Sequence, residues 1–418
     1  MAANVSLDSL PKEYDVIVVG GGPAGSSTAA LLGMQGYNVL VVDRAMFPRD
    51  KTCGDAISGK SIKILRELGV VEEVEAAPHA KIMGVGFSSP DSTYVDIPMQ
   101  KDENGKIKDY GYCCRREVFD NVLFENCKKH ATTIEEFLVD DVIIENGFAK
   151  GIKGKGKDGV MREYRAKVLV GADGALSVVA RKMGLYEKDD KHWCAAVRAY
   201  YKGVKGMTNS IELHFVDAVL PGYFWIFPLE DGLANVGVGM LLSDMSARKI
   251  NLTVEMEKLI TQHPSFKARF AGATKISPMK AWNLPFGSKR RKSYGNGVVL
   301  VGDAASLIDP FTGEGIGNAL VSGSIAAKHI QAALKDNKVE ENTFKQYDAE
   351  LWATVGPEMR TSYYMQRLGG KLKFLLNFVI RKAARSEKAK EAIAGTFLNI
   401  NARTNYWNPL FYIKMLLG

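Results

Sequence analysis

Three glycines near the start of the chain have the spacing of a dinucleotide-binding turn. Gly20, Gly22 and Gly25 follow an apolar stretch, Tyr14 to Val19, that is typical of a buried β-strand. Glycine lets the backbone turn tightly and approach a pyrophosphate, whose charge is met by the N-terminus of the following helix. Asp43 ends the next strand, about 20 residues further on, where an acid can accept from a ribose hydroxyl. The pattern therefore predicts a bound nucleotide cofactor.

Two further strand-to-turn transitions lie later in the chain. One strand leads into Gly-Ala-Asp-Gly at 171–174, and another leads into Gly-Asp-Ala-Ala at 302–305. A glycine-rich segment at 309–317 follows, in which backbone N–H groups and a helix N-terminus can face a ligand. Each pattern alone also fits an ordinary tight turn. Their succession along one chain points to a single cofactor site assembled from distant segments.

The composition is that of an ordinary soluble globular protein. The chain has 418 residues, of which 46% are apolar and 24% charged, and no apolar run reaches the ~18–20 residues of a spanning helix. Its five cysteines fit neither a disulfide framework nor a zinc site, which favours a reducing cytoplasm. The formal charge of +8 suggests an anionic partner: a membrane surface, an acidic electron carrier or nucleic acid. No nucleic-acid-binding motif accompanies the charge, so we expect no nucleic acid.

Apolar periodicity predicts the elements that must position these turns. Helices are expected at 60–68, 115–129, 253–270 and 315–334. Segments 139–152 and 162–170 resemble the two arms of a hairpin. Alternating, aromatic-rich segments between about 192 and 242 predict a second, antiparallel sheet, and the residues after about 340 are expected to be helical and basic.

Together with Arg116 in Arg-Glu-Val-Phe-Asp, the three turns resemble the FAD-binding domain of the flavoprotein hydroxylase and reductase superfamily. The resemblance implies an α/β fold: a doubly wound Rossmann-like FAD-binding domain with an inserted antiparallel β-sheet substrate domain and a C-terminal helical region. The implied division gives the FAD-binding domain residues 1–80, 113–190 and 286–340, the substrate domain residues 81–112 and 191–285, and the helical region residues 341–418.

The resemblance also implies roles for individual residues. Asp303 is expected at the ribityl O3′ hydroxyl of FAD, Arg116 is expected to reach the cofactor, and no metal ligand is expected. The residues expected to bind FAD are Gly20, Gly22, Ala24, Gly25, Asp43, Arg44, Cys53, Gly54, Asp55, Arg116, Asp173, Gly174, Asp303, Gly313, Gly315 and Ile316.

Two other segments resemble the geranylgeranyl reductase family. Residues 51–54 match its Lys-x-Cys-Gly segment, and residues 223–228 match its Tyr-x-Trp-x-Phe-Pro motif. The likeness extends to about residue 335. The family reduces isolated double bonds of geranylgeranyl chains in ether lipids or in chlorophyll and quinone side chains. The resemblance thus implies an FAD-dependent oxidoreductase acting on an isoprenoid lipid.

The second of these segments predicts a substrate wall. Alternate residues of a strand share a face, so Tyr223, Trp225 and Phe227 form one apolar wall ending at Pro228, which suits a prenyl chain and equally an ordinary core. Reduction of an unactivated alkene needs a hydride from flavin N5 to one carbon and a proton to the other. Cys53 is the proton donor that the resemblance implies and Tyr223 the second candidate, although Cys53 also fits a small buried hydrophobe.

The electron donor and the location are open at this stage. No second dinucleotide fingerprint is present, so electrons are expected from transiently bound NAD(P)H or from a ferredoxin-like carrier. The tail at 371–418 mixes apolar and basic residues, and its end at 406–417 is strongly apolar and aromatic, which fits either a lipid headgroup layer or a cap of ordinary core. We expect a cytoplasmic protein that associates peripherally with the membrane.

Two alternative functions share these features. A flavin-dependent monooxygenase or halogenase carries the same FAD motifs, but halogenases resembling this superfamily have Trp-x-Trp-x-Ile-Pro where this chain has Tyr-x-Trp-x-Phe-Pro. A non-catalytic, flavin-bound lipid carrier is the second alternative. Oxygen or halide dependence of turnover would favour the first, and a flavin that no donor reduces would favour the second.

Overall fold

The computed structural model describes residues 7–99 and 110–390. Within them the strands form two eight-stranded sheets, called here the first and the second sheet, and one three-stranded sheet. The strands are β1 (Glu13–Val19), β2 (Val39–Val42), β3 (Ala56–Ile57), β4 (Ala80–Ile82), β5 (Gly84–Ser88), β6 (Tyr94–Pro98), β7 (Gly111–Cys113), β8 (Thr132–Ile134), β9 (Leu138–Glu145), β10 (Phe148–Lys155), β11 (Met161–Gly171), β12 (Trp193–Lys202), β13 (Ser210–His214), β14 (Tyr223–Pro228), β15 (Leu233–Leu241), β16 (Thr274–Lys275), β17 (Lys280–Pro285), β18 (Tyr294–Gly295) and β19 (Val298–Leu300).

The helices cover the outer faces of the sheets and follow the strands at the turns that the sequence predicts. They are α1 (Pro23–Gly33), α2 (Gly59–Leu68), α3 (Val71–Ala76), α4 (Arg116–Lys128), α5 (Val178–Lys182), α6 (Leu242–Arg248), α7 (Leu252–Gln262), α8 (Lys267–Phe270), α9 (Ile316–Lys335), α10 (Glu341–Lys371) and α11 (Lys373–Arg385).

The first sheet is parallel at its centre. Its order is β18-β19-β11-β1-β2-β8, and β1, β2, β8, β11 and β19 all pair in parallel. Strands buried on both faces favour continuous apolar runs, and Val16, Ile17 and Val18 of β1 are fully buried. One core joins this sheet to α1, α4, α9 and α10. This is the predicted doubly wound layer, in which the strand ends place their turns at one edge.

The second sheet packs one face on α7 and the other on the three-stranded sheet and α11. Its order is β16-β12-β15-β14-β13-β5-β6, with β17 pairing β12. Phe224 and Ile226 of β14 lie in the core with Met256 of α7, whereas their neighbours Trp225 and Phe227 lie in a separate core on the opposite face. The period of two along β14 therefore separates a structural face from a face that is available to a ligand.

The strands at 193–241 pair antiparallel, as predicted, but the second sheet also contains one parallel pair. β5 pairs in parallel with β13 and antiparallel with β6. β5 is supplied by a segment that precedes α4, far from β13 in sequence. Because a long crossover, unlike a short hairpin, does not force neighbouring strands to run in opposite directions, the parallel pair is allowed.

Two predicted elements differ locally. The helix expected at 253–270 is two helices, α7 and α8, because Pro264 follows His263, whose extended backbone (ψ 129°) ends α7. The segment expected as one arm of a hairpin, 139–152, itself contains β9 and most of β10. Their turn has positive φ at Asn146 and Gly147, a combination typical of a tight hairpin turn. Helices α2, α4 and α9 begin and end within a residue of the prediction.

Candidate functional site

A cavity of about 1060 Å³ lies between the first sheet, the second sheet and α9. It exceeds the ~300–1,000 Å³ of typical ligand pockets, so it has room for more than one small ligand. One end, called here the glycine end, is formed by the turns of the first sheet. The other, called here the aromatic end, is lined mainly by apolar residues, among them Val85, Phe87, Leu213 and Phe311. The segment at 49–54 lines the cavity between them.

The backbone shapes the glycine end. Gly20 has φ +107°, and a Cβ there would lie 2.3 Å from the carbonyl oxygen of Ala172. A Cβ on Gly25 would lie 1.8 Å from the carbonyl oxygen of Gly20, so Gly25 packs the turn and does not itself line the cavity. Gly22 is the N-cap of α1, and both it and Ala24 line the cavity. The helix N-terminus is thus open to a phosphate group, as a dinucleotide requires.

Asp43 and Arg44 line the cavity beside this turn. The carboxylate of Asp43 accepts from the backbone N–H of Gly21 at 2.7 Å and of Ala45 at 2.8 Å. These bonds fix the carboxylate at the end of β2 while each oxygen retains acceptor capacity. Asp43 therefore lies in the cavity wall beside the glycine turn, and its contact with a ribose stays a prediction.

Asp173 has a second task that the sequence did not reveal. Its carboxylate accepts from the hydroxyl of Ser177 at 2.5 Å and from the N–H of Val178 at 2.6 Å, so it caps α5. Burial raises the pKa of Asp173, although these hydrogen bonds oppose the shift. Asp173 and Gly174 line the cavity, but the carboxylate is largely occupied by the helix end.

The loop before α9 approaches from the opposite side. Asp303 lies 3.4 Å from Nζ of Lys51 and lines the cavity with Gly313, Gly315 and Ile316. Gly313 has φ +74°, and a Cβ there would lie 2.8 Å from the hydroxyl of Tyr223. The loop consequently lies close to the second sheet, and the N-terminus of the twenty-residue α9 faces the cavity.

Arg116 reaches the cavity with its charge already paired. The guanidinium is buried and donates two hydrogen bonds of 2.6 Å to the carboxylate of Asp120. Burial alone would lower the pKa of Arg116, but Asp120 and the neighbouring Cys53 raise it. The side chain that the sequence assigns to the cofactor is therefore also in contact with the candidate proton donor.

Cys53 lies in the cavity wall, and the two residues after it approach the second sheet. Cys53 is half-buried, while the other four cysteines are buried. A Cβ on Gly54 would lie 3.0 Å from the ring of Phe227, so the loop packs closely on β14. Asp55 is fully buried, does not line the cavity and accepts from Tyr200 Oη at 2.8 Å. Burial raises the pKa of Asp55 to about 6.

The aromatic wall forms as the alternation predicts. Tyr223, Trp225 and Phe227 line the cavity, whereas Pro228 is buried and does not line it. The hydroxyl of Tyr223 donates to the carbonyl oxygen of Thr312, and burial raises the pKa of Tyr223. Both effects hold the proton on the oxygen of Tyr223.

Asn235 of β15 joins the cysteine loop to the aromatic wall, and sequence reasoning missed it. Its fully buried amide donates to the carbonyl oxygen of Cys53 and to the carboxylate of Asp55, both at 2.7 Å. It accepts from Nε1 of Trp225 at 2.9 Å. The available signal was a single amide in a strand of apolar residues and glycine, since a buried polar side chain requires partners.

Membrane-spanning helices and metal clusters can be sought directly in the structure. Among the helices of residues 7–99 and 110–390, none is long and apolar enough to cross a membrane. Those same residues contain no cluster of His, Cys, Asp and Glu that could hold a metal ion. The aromatic segment at 406–417 lies outside the described residues.

The sequence matches a known family along most of its length. The family model described as FAD binding domain matches residues 13–355. The chain is 33% identical over 374 residues to the digeranylgeranylglycerophospholipid reductase of Methanocella arvoryzae, covering 87% of this chain and 89% of that protein. It is 32% identical over 331 residues to the menaquinone reductase of Mycobacterium tuberculosis, covering 78% of each.

Solved structures share the fold. The geranylgeranyl bacteriochlorophyll reductase-like protein of Thermoplasma acidophilum superposes with a TM-score of 0.82 at 25% identity, covering 93% of this chain and 97% of that one. A flavin-dependent brominase superposes with a TM-score of 0.76 at 22% identity, covering 97% and 98%. The second likeness shows the shared fold alone.

Proposed function

Because the chain belongs to the FAD binding domain family, and within it to the geranylgeranyl reductases, we propose that it saturates carbon–carbon double bonds of an isoprenoid lipid. The cofactor is FAD. One observation carries the proposal: a single cavity joins the glycine end to an apolar chamber, with Cys53 in its wall. A long prenyl chain would occupy the chamber, whose walls are aliphatic and aromatic.

The residues present fit FAD. Three features suit the adenosine diphosphate part of FAD. They are the glycine-capped N-terminus of α1, the close contact of Gly20 with Ala172, and Asp43 at the end of β2. Asp303 and the N-terminus of α9 suit the ribityl chain and the ring. Bound and reduced, FAD supplies the hydride that one alkene carbon receives.

The other alkene carbon needs a proton, which we assign to Cys53. The S–H bond breaks as the new C–H bond forms, and the thiolate that remains is later reprotonated from water. Arg116 beside Cys53 would stabilise that thiolate. Tyr223 is the poorer donor, because its proton is held by Thr312 and burial raises its pKa.

The test measures alkene reduction and flavin reduction separately. With chemically reduced FAD under anaerobic conditions and a geranylgeranyl lipid, mass spectrometry should show a gain of hydrogen at each reduced double bond. Cys53→Ala should slow this reaction by about 100-fold or more while flavin reduction continues. Cys194→Ala, a buried cysteine outside the cavity wall, is the matched control. Unchanged turnover in Cys53→Ala would refute the assignment of Cys53.

The same assay separates the alternatives. Oxygen uptake that depends on a halide would indicate a halogenase, which the shared fold of the brominase makes the second candidate. Anaerobic mixing with NADPH, NADH or reduced ferredoxin identifies the electron donor by bleaching of the flavin. A flavin that none of these bleaches would indicate a lipid carrier instead of an enzyme.

We also propose that the protein docks peripherally on anionic membranes through α11. Phe374 and Phe378, one turn apart, are 70% and 41% exposed. Lys371, Arg381 and Arg385 are exposed around them. Exposed aromatics with surrounding cations are typical of an interfacial helix.

The opposite side of α11 connects this surface to the cavity wall. Ile380 and Ala383 are buried in the same core as Phe87 and Trp225. Phe374→Ser with Phe378→Ser should reduce sedimentation with phosphatidylglycerol vesicles, whereas Ile276→Ser, which removes an exposed apolar residue elsewhere, should not. Equal sedimentation of both variants would exclude α11 as the docking surface.

A further inference from the structure

Arg198 is a buried cation that faces the cavity with two hydrogen-bond donors unused. Its side chain is fully buried and lines the cavity from β12. Nη2 donates to the carboxylate of Asp50. Nε and Nη1 have no hydrogen-bond partner among the described residues. The guanidinium carbon lies 4.1 Å from the centre of the Tyr200 ring, which holds its plane in place.

The register of the second sheet puts Arg198 on the same face as the aromatic wall. Arg198 pairs with Gly237 of β15, and Gly237 pairs with Trp225 of β14. Gly237 has no side chain to separate the two, and a Cβ there would lie 2.2 Å from the Trp225 ring. The partner of Arg198, Asp50, belongs to the same loop as Cys53. Arg198 therefore lines the cavity beside Trp225 and is bonded to the loop that carries Cys53.

Unused buried donors are costly unless a ligand satisfies them. Each unsatisfied buried donor destabilises the protein, because it has lost its hydrogen bonds to water without gaining others. A prenyl chain has no acceptor atoms and cannot bond to a guanidinium. The FAD ring, in contrast, carries carbonyl oxygens and ring nitrogens that accept hydrogen bonds, and it becomes anionic on reduction.

We infer that Arg198 contacts the cofactor: its free Nε–H and Nη1–H donate to an acceptor edge of the FAD ring and its charge favours the reduced form. The inference rests on FAD as the cofactor and does not depend on which alkene is reduced.

Asp50 orients Arg198 without fully neutralising it. The carboxylate of Asp50 is shared between Arg198 and Lys280, whose Nζ lies at 2.7 Å. Lys280 is 46% exposed and therefore contributes a solvent-screened charge to the same carboxylate. This arrangement provides a matched control, because Lys280 contacts Asp50 as Arg198 does, but its side chain is partly exposed whereas that of Arg198 is fully buried.

The test is the reduction potential of bound FAD, measured by dye-coupled titration without any lipid substrate. Arg198→Gln should weaken binding of reduced relative to oxidised FAD by about tenfold or more, which lowers the two-electron potential by about 30 mV per factor of ten. Lys280→Gln should change that ratio by less than about threefold, because its charge is screened.

Two outcomes would overturn the inference. One is an Arg198→Gln variant that binds FAD with an unchanged potential, and the other is an equal shift in Arg198→Gln and Lys280→Gln. If Arg198→Gln does not retain FAD, the Arg198→Lys variant is used for the test, because it keeps the charge and the pairing with Asp50. Vibrational spectra of FAD in Arg198→Lys should show altered ring carbonyl frequencies, and wild-type frequencies would overturn the inference. Because no substrate is present, a failure here is distinct from a failure of alkene reduction.

Discussion

At the glycine end of the cavity the backbone forms the binding surface, whereas at the aromatic end a network of side chains does so. Gly20, Gly22 and the N-terminus of α1 shape the first end with almost no side-chain atoms. Asn235 ties Cys53, Asp55 and Trp225 together at the second. A backbone-built site tolerates no added atoms, while a network-built site tolerates no lost hydrogen bonds. The two ends should therefore fail under opposite kinds of substitution.

The largest effect is expected from adding one carbon at the glycine end. Gly25→Ala places a Cβ 1.8 Å from the carbonyl oxygen of Gly20, so the turn must open. FAD should bind at least about 100-fold more weakly, a loss of about 3 kcal/mol, as measured by fluorescence titration. The control is Gly36→Ala, which also adds a methyl group but at a position with φ +85° and no atom within 4 Å. If Gly25→Ala bound FAD with wild-type affinity, the glycine end would tolerate added atoms and would not differ from the aromatic end in this way.

Deleting the amide of Asn235 should have the next largest effect. Asn235→Ala removes the amide that bonds to the Cys53 carbonyl and to the Trp225 N–H, and it leaves the Asp55 carboxylate with its bond from Tyr200 but without the one from Asn235. We expect a loss of about 2–4 kcal/mol of unfolding free energy in urea. Asn126→Ala removes a buried amide with a single 3.4 Å bond to Leu68 and should cost about 1 kcal/mol.

The Asn235→Ala variant also tests whether the network positions Cys53. If the loop loosens, iodoacetamide should alkylate Cys53 faster. General destabilisation would instead speed alkylation of all cysteines, so the rate at Cys53 alone reports the loop. The buried cysteines serve as an internal reference. Equal stability losses in the Asn235 and Asn126 variants would show that the network is not special.

The pH dependence of stability should report the buried carboxyl in the network. Burial raises the pKa of Asp55 from 3.8 to about 6 in the folded protein, so the folded state binds the extra proton between these values. The stabilisation that this proton contributes is fully present below about pH 4 and is lost as the pH rises through about 6. The total loss in unfolding free energy is roughly 3 kcal/mol. Asp55→Asn should remove this decline from urea unfolding curves measured between pH 4 and 7. A decline of wild-type size in Asp55→Asn would assign it to other groups.

The smallest effect is expected from removing one donor. Trp225→Phe keeps an aromatic wall but loses the 2.9 Å hydrogen bond from Nε1 to Asn235. We expect a loss of about 1 kcal/mol in urea unfolding, with FAD affinity unchanged. A change in FAD affinity larger than the change in stability would show that the two ends of the cavity are coupled.

The contrast between the ends also explains what the sequence could predict. The strand, the glycine turn and the helix follow one another along the chain. The local sequence pattern is therefore enough to place Gly20, Gly22 and Asp43 around one cavity. The alternation along β14 likewise places Tyr223, Trp225 and Phe227 on one face. These predictions require no knowledge of distant partners.

Asn235 and Arg198 could not be found in this way. Each is a buried polar residue in a strand, and it bonds to the loop at 50–55, far away in sequence. The parallel pairing of β5 with β13 also depends on the path of the chain between the sheets. By contrast, the break between α7 and α8 was predictable from Pro264, although we expected one helix, since proline disfavours helical backbone at the preceding residue.

The position of β19 in the first sheet has a consequence for how the protein is made. β11 pairs with β1 on one side and with β19 on the other, and β19 lies beyond the whole second sheet in the chain. β10 already pairs with residues 161–165 of β11, so during translation only residues 169–171 keep an unpaired edge until residues 298–300 leave the ribosome. An unpaired strand edge promotes aggregation. Bound FAD stabilises only a chain that has folded far enough to bind it. Chains that terminate before β19 should accumulate in inclusion bodies, and added riboflavin should rescue only the full-length product.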